Sequence, residues 1–111
     1  MATQSEMPAA APVPPLGLAS YQEGAVVSRT LLKRAGGTIT LFAFDDDQSL
    51  SEHTAPFDAV AHVLEGDAEI TIAGTPVRAS AGEIVLMSAN QPHAVTARTR
   101  FKMLLTMIRS V

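Results

Sequence analysis

The chain has 111 residues, of which 47% are apolar and 17% are charged, and it carries a net charge of −3 with no cysteine. This length fits one domain with a real hydrophobic core, and the lack of cysteine excludes disulfides, thiolate metal sites and cysteine nucleophiles. The few basic residues are spread along the chain, which argues against a nucleic-acid partner because such proteins present a basic face.

Residues 1–17 are rich in alanine and proline and show little hydrophobic periodicity. Proline at this spacing disfavours a helix, so we predict an extended or disordered arm, either free or packed along a partner subunit. A single folded domain is expected over residues 18–111. The arm does not read as a secretion signal, and no apolar run reaches the length of a membrane span. We therefore expect a cytoplasmic protein with no membrane partner.

From residue 25 onward, short apolar runs alternate with turn residues such as Gly36–Gly37, Asp45–Asp47, Gly66 and Gly74. The pattern predicts eight or nine strands, eight of which can be assigned, over residues 25–33, 38–44, 59–64, 68–73, 77–79, 84–87, 93–97 and 101–109. Short strands at this spacing, without a convincing helix, are typical of an all-β sandwich or barrel.

Several predicted strands are apolar on both faces. In the last strand, alternation places one apolar set on one face and a second, largely apolar set on the other: Phe101, Met103, Leu105 and Met107 against Lys102, Leu104, Thr106 and Ile108. One face fills the interior, so the other needs cover from a second sheet or a second subunit. Together with the low charged fraction, this pattern predicts a homodimer.

Two histidines stand in blocks marked by glycine. His53 is followed by Gly66, and His93 is preceded by Gly82. The spacing resembles the two motifs of the cupin superfamily. The first motif is Gly, five residues, His-x-His, three or four residues, Glu, six residues, Gly. The second is Gly, five residues, Pro-x-Gly, two residues, His, three residues, Asn. His53 and Gly66 match the first motif, and Gly82 and His93 match the second, in one register without insertions.

The chain also departs from these motifs. Ala55 stands at the second histidine of the first motif, Ala59 at its glutamate, and Ala97 at the final asparagine of the second motif. Asp47 and Asn90 stand where the motifs have glycine, and asparagine tolerates the left-handed backbone that glycine would adopt. The carboxylate of Asp58 adjoins the glutamate position, but we expect it to face inward only if a β-bulge rotates it.

The resemblance covers roughly residues 35–110 and implies an all-β double-stranded β-helix, or jelly-roll barrel, which is usually dimeric. It also implies a site inside the barrel where His53 and His93 converge, beside the pocket positions Ala55, Ala59 and Ala61. Metals in this family are single divalent ions such as Mn, Fe, Ni, Cu or Zn, held by imidazoles and a carboxylate. Two histidines are fewer ligands than such ions usually take, so a metal site and a metal-free histidine pair both remain open.

Two functions fit these features, and neither specifies a reaction. The first is a barrel that binds a small molecule with His53 and His93 as polar anchors, with or without a metal. The second is a metal-free, non-enzymatic barrel that binds or senses a ligand. The small alanines leave volume that either remains as a ligand cavity or is filled by larger neighbours, with Met87, Phe101, Met103 and Met107 as candidates. The third histidine, His62, is expected to face outward.

Overall fold

The structure, a computed structural model, describes residues 6–109 and contains nine strands in two antiparallel sheets. The strands are β1 (Val26–Arg34), β2 (Gly37–Phe44), β3 (Ser49–His53), β4 (Phe57–Glu65), β5 (Asp67–Ile72), β6 (Thr75–Ser80), β7 (Ile84–Met87), β8 (His93–Ala97) and β9 (Phe101–Arg109). The five-stranded sheet has the order β1-β2-β9-β4-β7, and the four-stranded sheet has the order β3-β8-β5-β6. This architecture confirms the predicted all-β fold class.

Helical structure within residues 6–109 is confined to one 3-10 turn at Pro15–Gly17. Among these residues, no helix has the length and apolar character needed to cross a membrane. The first five residues of the predicted arm lie outside the described range.

Eight strands lie where the sequence predicts them, to within a few residues, but β3 is missing from the assigned set. Its sequence, Ser-Leu-Ser-Glu-His, lacks apolar alternation because the strand lies at a sheet edge and only Leu50 packs against the core. Pro76 is a second difference, because β6 includes it although the strand was predicted to begin at residue 77. This position is tolerated because β6 is also an edge strand, where a missing N–H need not cost a ladder hydrogen bond.

The two sheets enclose a core in which small and large residues complement each other. Ala59 is paired with Met87 on one side and Met107 on the other, and Ala61 is flanked in the same way by Val85 and Leu105. Larger neighbours therefore occupy the volume around these alanines, as close packing requires. Deeper in the same core, two phenylalanine rings stack with centroids 4.4 Å apart, those of Phe44 and Phe101.

The outward face of the five-stranded sheet carries a second apolar cluster around Leu41. The chain's own N-terminal segment covers it: Ala19 is buried there, and Leu18 and Tyr21 pack alongside. The Nζ atom of Lys102, a residue that is only 7% exposed, donates a 2.7 Å hydrogen bond to the carbonyl of Leu16 in this segment. Over this part of the sheet the cover is thus intramolecular, a source that the strand pattern does not reveal.

A second bond holds the same segment at the far end of β4. The Tyr21 hydroxyl donates a 2.6 Å hydrogen bond to the Glu65 carboxylate. Burial, followed by this bond to an anionic acceptor, raises the pKa of Tyr21 well above its usual range. The phenol therefore stays protonated and keeps donating to Glu65 at any ordinary pH.

Four turn positions that correspond to glycine in the two motifs have positive φ: Asp47 (71°), Gly66 (80°), Gly82 (90°) and Asn90 (65°). The motif therefore specifies a backbone conformation, which Asp and Asn adopt at lower cost than other side-chain-bearing residues. Gly66 is further constrained by packing. A Cβ atom there would overlap the carbonyl oxygen of Arg100 and lie 2.7 Å from the Cβ atom of Phe101, whereas Gly82 has open space around it.

We expect Gly66→Ala to destabilise the fold more than Gly82→Ala. Both substitutions force a side chain into a left-handed backbone, at about 1–2 kcal/mol each. Only the first adds a steric clash with β9, worth about 1–3 kcal/mol more. Urea unfolding measures both changes, and equal midpoints for the two variants would contradict the packing argument.

Candidate functional site

The candidate site lies at one end of the barrel, called the mouth here, where β3 and β9 end and β4 and β8 begin. On β8, His93 shares a face with Val95 and Ala97, which are both 2% exposed and belong to the central core. His93 therefore faces the barrel interior. It pairs with Ile72 of β5 on one side and with His53 of β3 on the other.

A β-bulge in β3 brings His53 to the same side. Leu50 pairs with Val95 and His53 pairs with His93, so two residues of β3 stand opposite the single residue Ala94 of β8. In a regular strand, residues three apart face opposite sides. The extra residue reverses this alternation and places His53 on the side of Leu50, which packs against the core.

The two imidazole rings contact each other edge to face, with centroids 4.3 Å apart and planes 67° apart. The Nδ1 atom of His53 lies 3.0 Å from the carbonyl oxygen of Ser51, and that of His93 lies 3.2 Å from the carbonyl oxygen of Gln91. Carbonyl oxygens only accept, so each neutral ring carries its proton on Nδ1 and keeps the lone pair of Nε2. Histidines that ligate metals are commonly oriented by such a bond.

The predicted pocket alanines lie at different depths. Ala55 is half-buried in the connection between β3 and β4, and its carbonyl accepts a 2.8 Å hydrogen bond from the backbone N–H of Asn90. Ala59 and Ala61 are 4% and 0% exposed and lie further down β4, inside the packed core. The structure thus brings His53 and His93 together at the mouth, while these two alanines lie below it.

Among residues 6–109, no carboxylate joins the two histidines. Asp58 is exposed, pairs with Ile108, and accepts a 2.9 Å hydrogen bond from the backbone N–H of Ala89. The bulge of β4 falls between Val63 and Glu65, too far away to turn Asp58 inward. Within residues 6–109, no group of three His, Cys, Asp or Glu side chains is placed to hold a metal ion. The donors that these residues bring together at the mouth are therefore two imidazoles, fewer than the three protein ligands that catalytic zinc sites usually have.

Two more side chains converge on the mouth. From the sequence, Phe57 fits either the pocket mouth or the core, whereas Arg109 was given no site role. Phe57 begins β4 and pairs with Arg109, which ends β9. The Arg109 guanidinium carbon lies 5.3 Å from the centroid of the Phe57 ring, and its Nε donates a 3.1 Å hydrogen bond to the carbonyl of Ala35. Alternation along β9 was the available signal, because it places Arg109 on the face of Met107.

The third histidine, His62, pairs with Ile84 and Leu104 on the outward face, as the sequence predicts.

Comparison with known proteins gives a consistent picture. The family described as Cupin domain matches residues 40–109. A conserved protein of unknown function from Streptococcus pyogenes is similar, with 32% identity, a TM-score of 0.91, and 100% of this chain and 97% of that chain covered. A cupin superfamily protein from Desulfitobacterium hafniense has 28% identity and a TM-score of 0.89, and the match covers 98% of this chain and 100% of that chain. A Cupin 2 conserved barrel domain protein from Leptotrichia buccalis has 38% identity and a TM-score of 0.82, and the match covers 85% of this chain and 46% of that chain. Comparison with curated proteins yields no match.

The hydrogen bonds at Nδ1 make a direct prediction about the two rings. When neutral, both His53 and His93 should carry the proton on Nδ1, because each Nδ1 faces a carbonyl acceptor. Long-range proton–nitrogen NMR correlations report the tautomer, and His62 gives an internal comparison within the same spectrum. Protonated Nε2 atoms in the neutral rings of His53 and His93 would contradict the geometry.

Proposed function

This chain belongs to the Cupin domain family, and we propose that it binds a small molecule at the barrel mouth with His53 and His93 as polar anchors. One observation carries the proposal: the rings lie 4.3 Å apart and each Nδ1 is held by a backbone carbonyl. Both Nε2 lone pairs are therefore available in rings whose orientation is already fixed. Such preorganisation lowers the entropic cost of binding.

In the metal form of this proposal, the two Nε2 atoms hold one divalent transition ion of the Mn, Fe, Ni, Cu or Zn group. Bound there, the ion would polarise an oxygen-bearing ligand. Two protein ligands are fewer than the three that catalytic zinc sites usually have. We therefore expect the ion to be held less tightly than in those sites and to exchange readily with solution.

The alternative is a metal-free barrel that binds or senses a ligand without catalysis. The absence of a third metal-binding side chain at the mouth, within residues 6–109, favours this alternative. In it, the imidazoles act on the ligand through hydrogen bonds alone. The two forms differ in whether the protein takes up a metal ion.

Cobalt titration of chelator-treated protein without a histidine tag separates these forms. The metal form predicts one ion per chain and a loss of binding of about tenfold or more in His53→Ala and in His93→Ala, because each removes one of two ligands. The matched control is His62→Ala, which removes an imidazole from the outward face and should bind as the parent does. Protein that takes up no cobalt at neutral pH would rule out the metal form and leave the alternative.

We also propose that the chain forms a homodimer through the outward face of β4, β7 and β9. Ile84, Leu86 and Ile108 are 66%, 62% and 57% exposed there. They share one face of the sheet: Val60 of β4 lies in register between Leu86 and Thr106, and Ile108 lies beside Asp58 at the edge of this face. An apolar patch with few charges is complementary to its own copy across a two-fold axis.

Leu86→Arg should therefore convert a dimer to a monomer, because it places two charges in an apolar two-fold contact. Sedimentation equilibrium at micromolar concentration gives the mass. Val77→Arg is the matched control, since it adds the same charge at an exposed apolar position of β6 in the other sheet. A parent protein with the mass of one chain would refute the homodimer.

A further inference from the structure

We infer that Arg109 makes the mouth a carboxylate-binding site, so that the molecule bound beside His53 and His93 is a carboxylic acid in its anionic form. The inference rests on the proposed function, because it names the ligand class of the same mouth. It adds a cationic residue from the opposite sheet to the two imidazoles.

The strand register places Arg109 on the inward side. Along β9, the residues that alternate with it pack in the central core, namely Phe101, Met103, Leu105 and Met107. Its partner Phe57 belongs to the inward series of β4, which continues with Ala59 and Ala61. Arg109 is thus the last inward residue of β9 and lies where the packed core gives way to the opening.

Two contacts orient the guanidinium. Its carbon lies 5.3 Å from the centroid of the Phe57 ring, and Nε donates to the carbonyl of Ala35. Neither contact uses the two terminal nitrogens, which are the pair that binds a carboxylate side by side. Within residues 6–109, the arginines in ion pairs with carboxylates are Arg34, Arg78 and Arg100, and Arg109 is not among them.

The chain path limits how far Arg109 can lie from His53. Phe57, on which the guanidinium stacks, follows His53 by four residues, so their Cα atoms lie within about 14 Å of each other. The hydrogen bond from Asn90 to Ala55 ties this connection to the loop that leads into β8. A ligand of several heavy atoms can therefore place a carboxylate on Arg109 while another polar group reaches an imidazole.

The charges around the mouth favour an anion. The nearest acidic residue on β4, Asp58, faces outward and is engaged by Ala89. Glu52 adjoins His53 and is exposed, as Arg109 is, but it lies within the bulge of β3 and outside the inward series. Among residues 6–109, the charged residue on the inward series of β4 and β9 at this end is thus the cation Arg109.

Titration of metal-free protein with malonate, followed by proton–nitrogen NMR, tests the inference. Malonamide is the matched neutral probe. We expect malonate to shift the signals of Phe57, His53 and His93, and malonamide to have little effect. Arg109→Gln should weaken malonate binding about tenfold, because a charge-assisted bidentate contact is lost. Arg109→Lys keeps the positive charge but loses the paired terminal nitrogens, so its affinity for malonate should lie between those of the parent protein and Arg109→Gln.

Arg98→Gln is the control, because it removes the same charge from an exposed residue that follows β8, at the end remote from the mouth. It should bind malonate as the parent does. Equal binding of malonamide, an equal loss in Arg98→Gln, or full binding in Arg109→Gln would overturn the inference.

The cobalt titration distinguishes failure of this inference from failure of the proposed function. Cobalt bound through both histidines without malonate binding rejects only the carboxylate site. Malonate binding that depends on Arg109 but is unaffected by His53→Ala and His93→Ala rejects only the histidine anchors.

Discussion

The direction of the His53 side chain depends on a one-residue bulge in β3, and the candidate site depends on that direction. β3 is free to bulge because it is an edge strand that pairs with β8 alone. The same bulge supplies the carbonyl of Ser51 that accepts the bond from His53 Nδ1. One local distortion therefore places the exposed His53 ring on the same side of β3 as Leu50, orients it through Nδ1, and leaves its Nε2 lone pair unused by the Ser51 carbonyl.

The packing below the mouth explains how the fold is kept although alanines replace two of the metal ligands that the motifs contain. Ala59 takes the place of a carboxylate, and the thioethers of Met87 and Met107 flank it in the neighbouring strands. Flexible methionine side chains fill such irregular space well. Asp47 and Asn90 meanwhile keep the positive φ that the motifs specify. The turns that shape the barrel are thus preserved although alanines stand at two positions where the motifs have metal ligands.

The two halves of the outward face of the five-stranded sheet differ in how much of their apolar surface is covered. Around Leu41, the chain covers the sheet with its own N-terminal segment, held by Lys102 and Tyr21. Around Leu86, the apolar surface is exposed. The first half shows that apolar residues on both sides of a strand do not by themselves require a partner. The second half is where a partner would contribute burial.

Apolar alternation and turn residues were enough to predict eight strands and the all-β fold class, because these depend on local spacing. The convergence of His53 and His93 was implied only by the resemblance to the cupin motifs. Alternation also predicted the outward direction of His62. The strand β3, its bulge, and the stacking of Arg109 on Phe57 were decided by tertiary structure. The strand β3 packs one half-buried residue, Leu50, against the core and therefore leaves no periodic signal. A bulge reverses the alternation on which sequence reasoning relies, and Arg109 meets Phe57 only because β9 pairs with β4 across a large sequence separation.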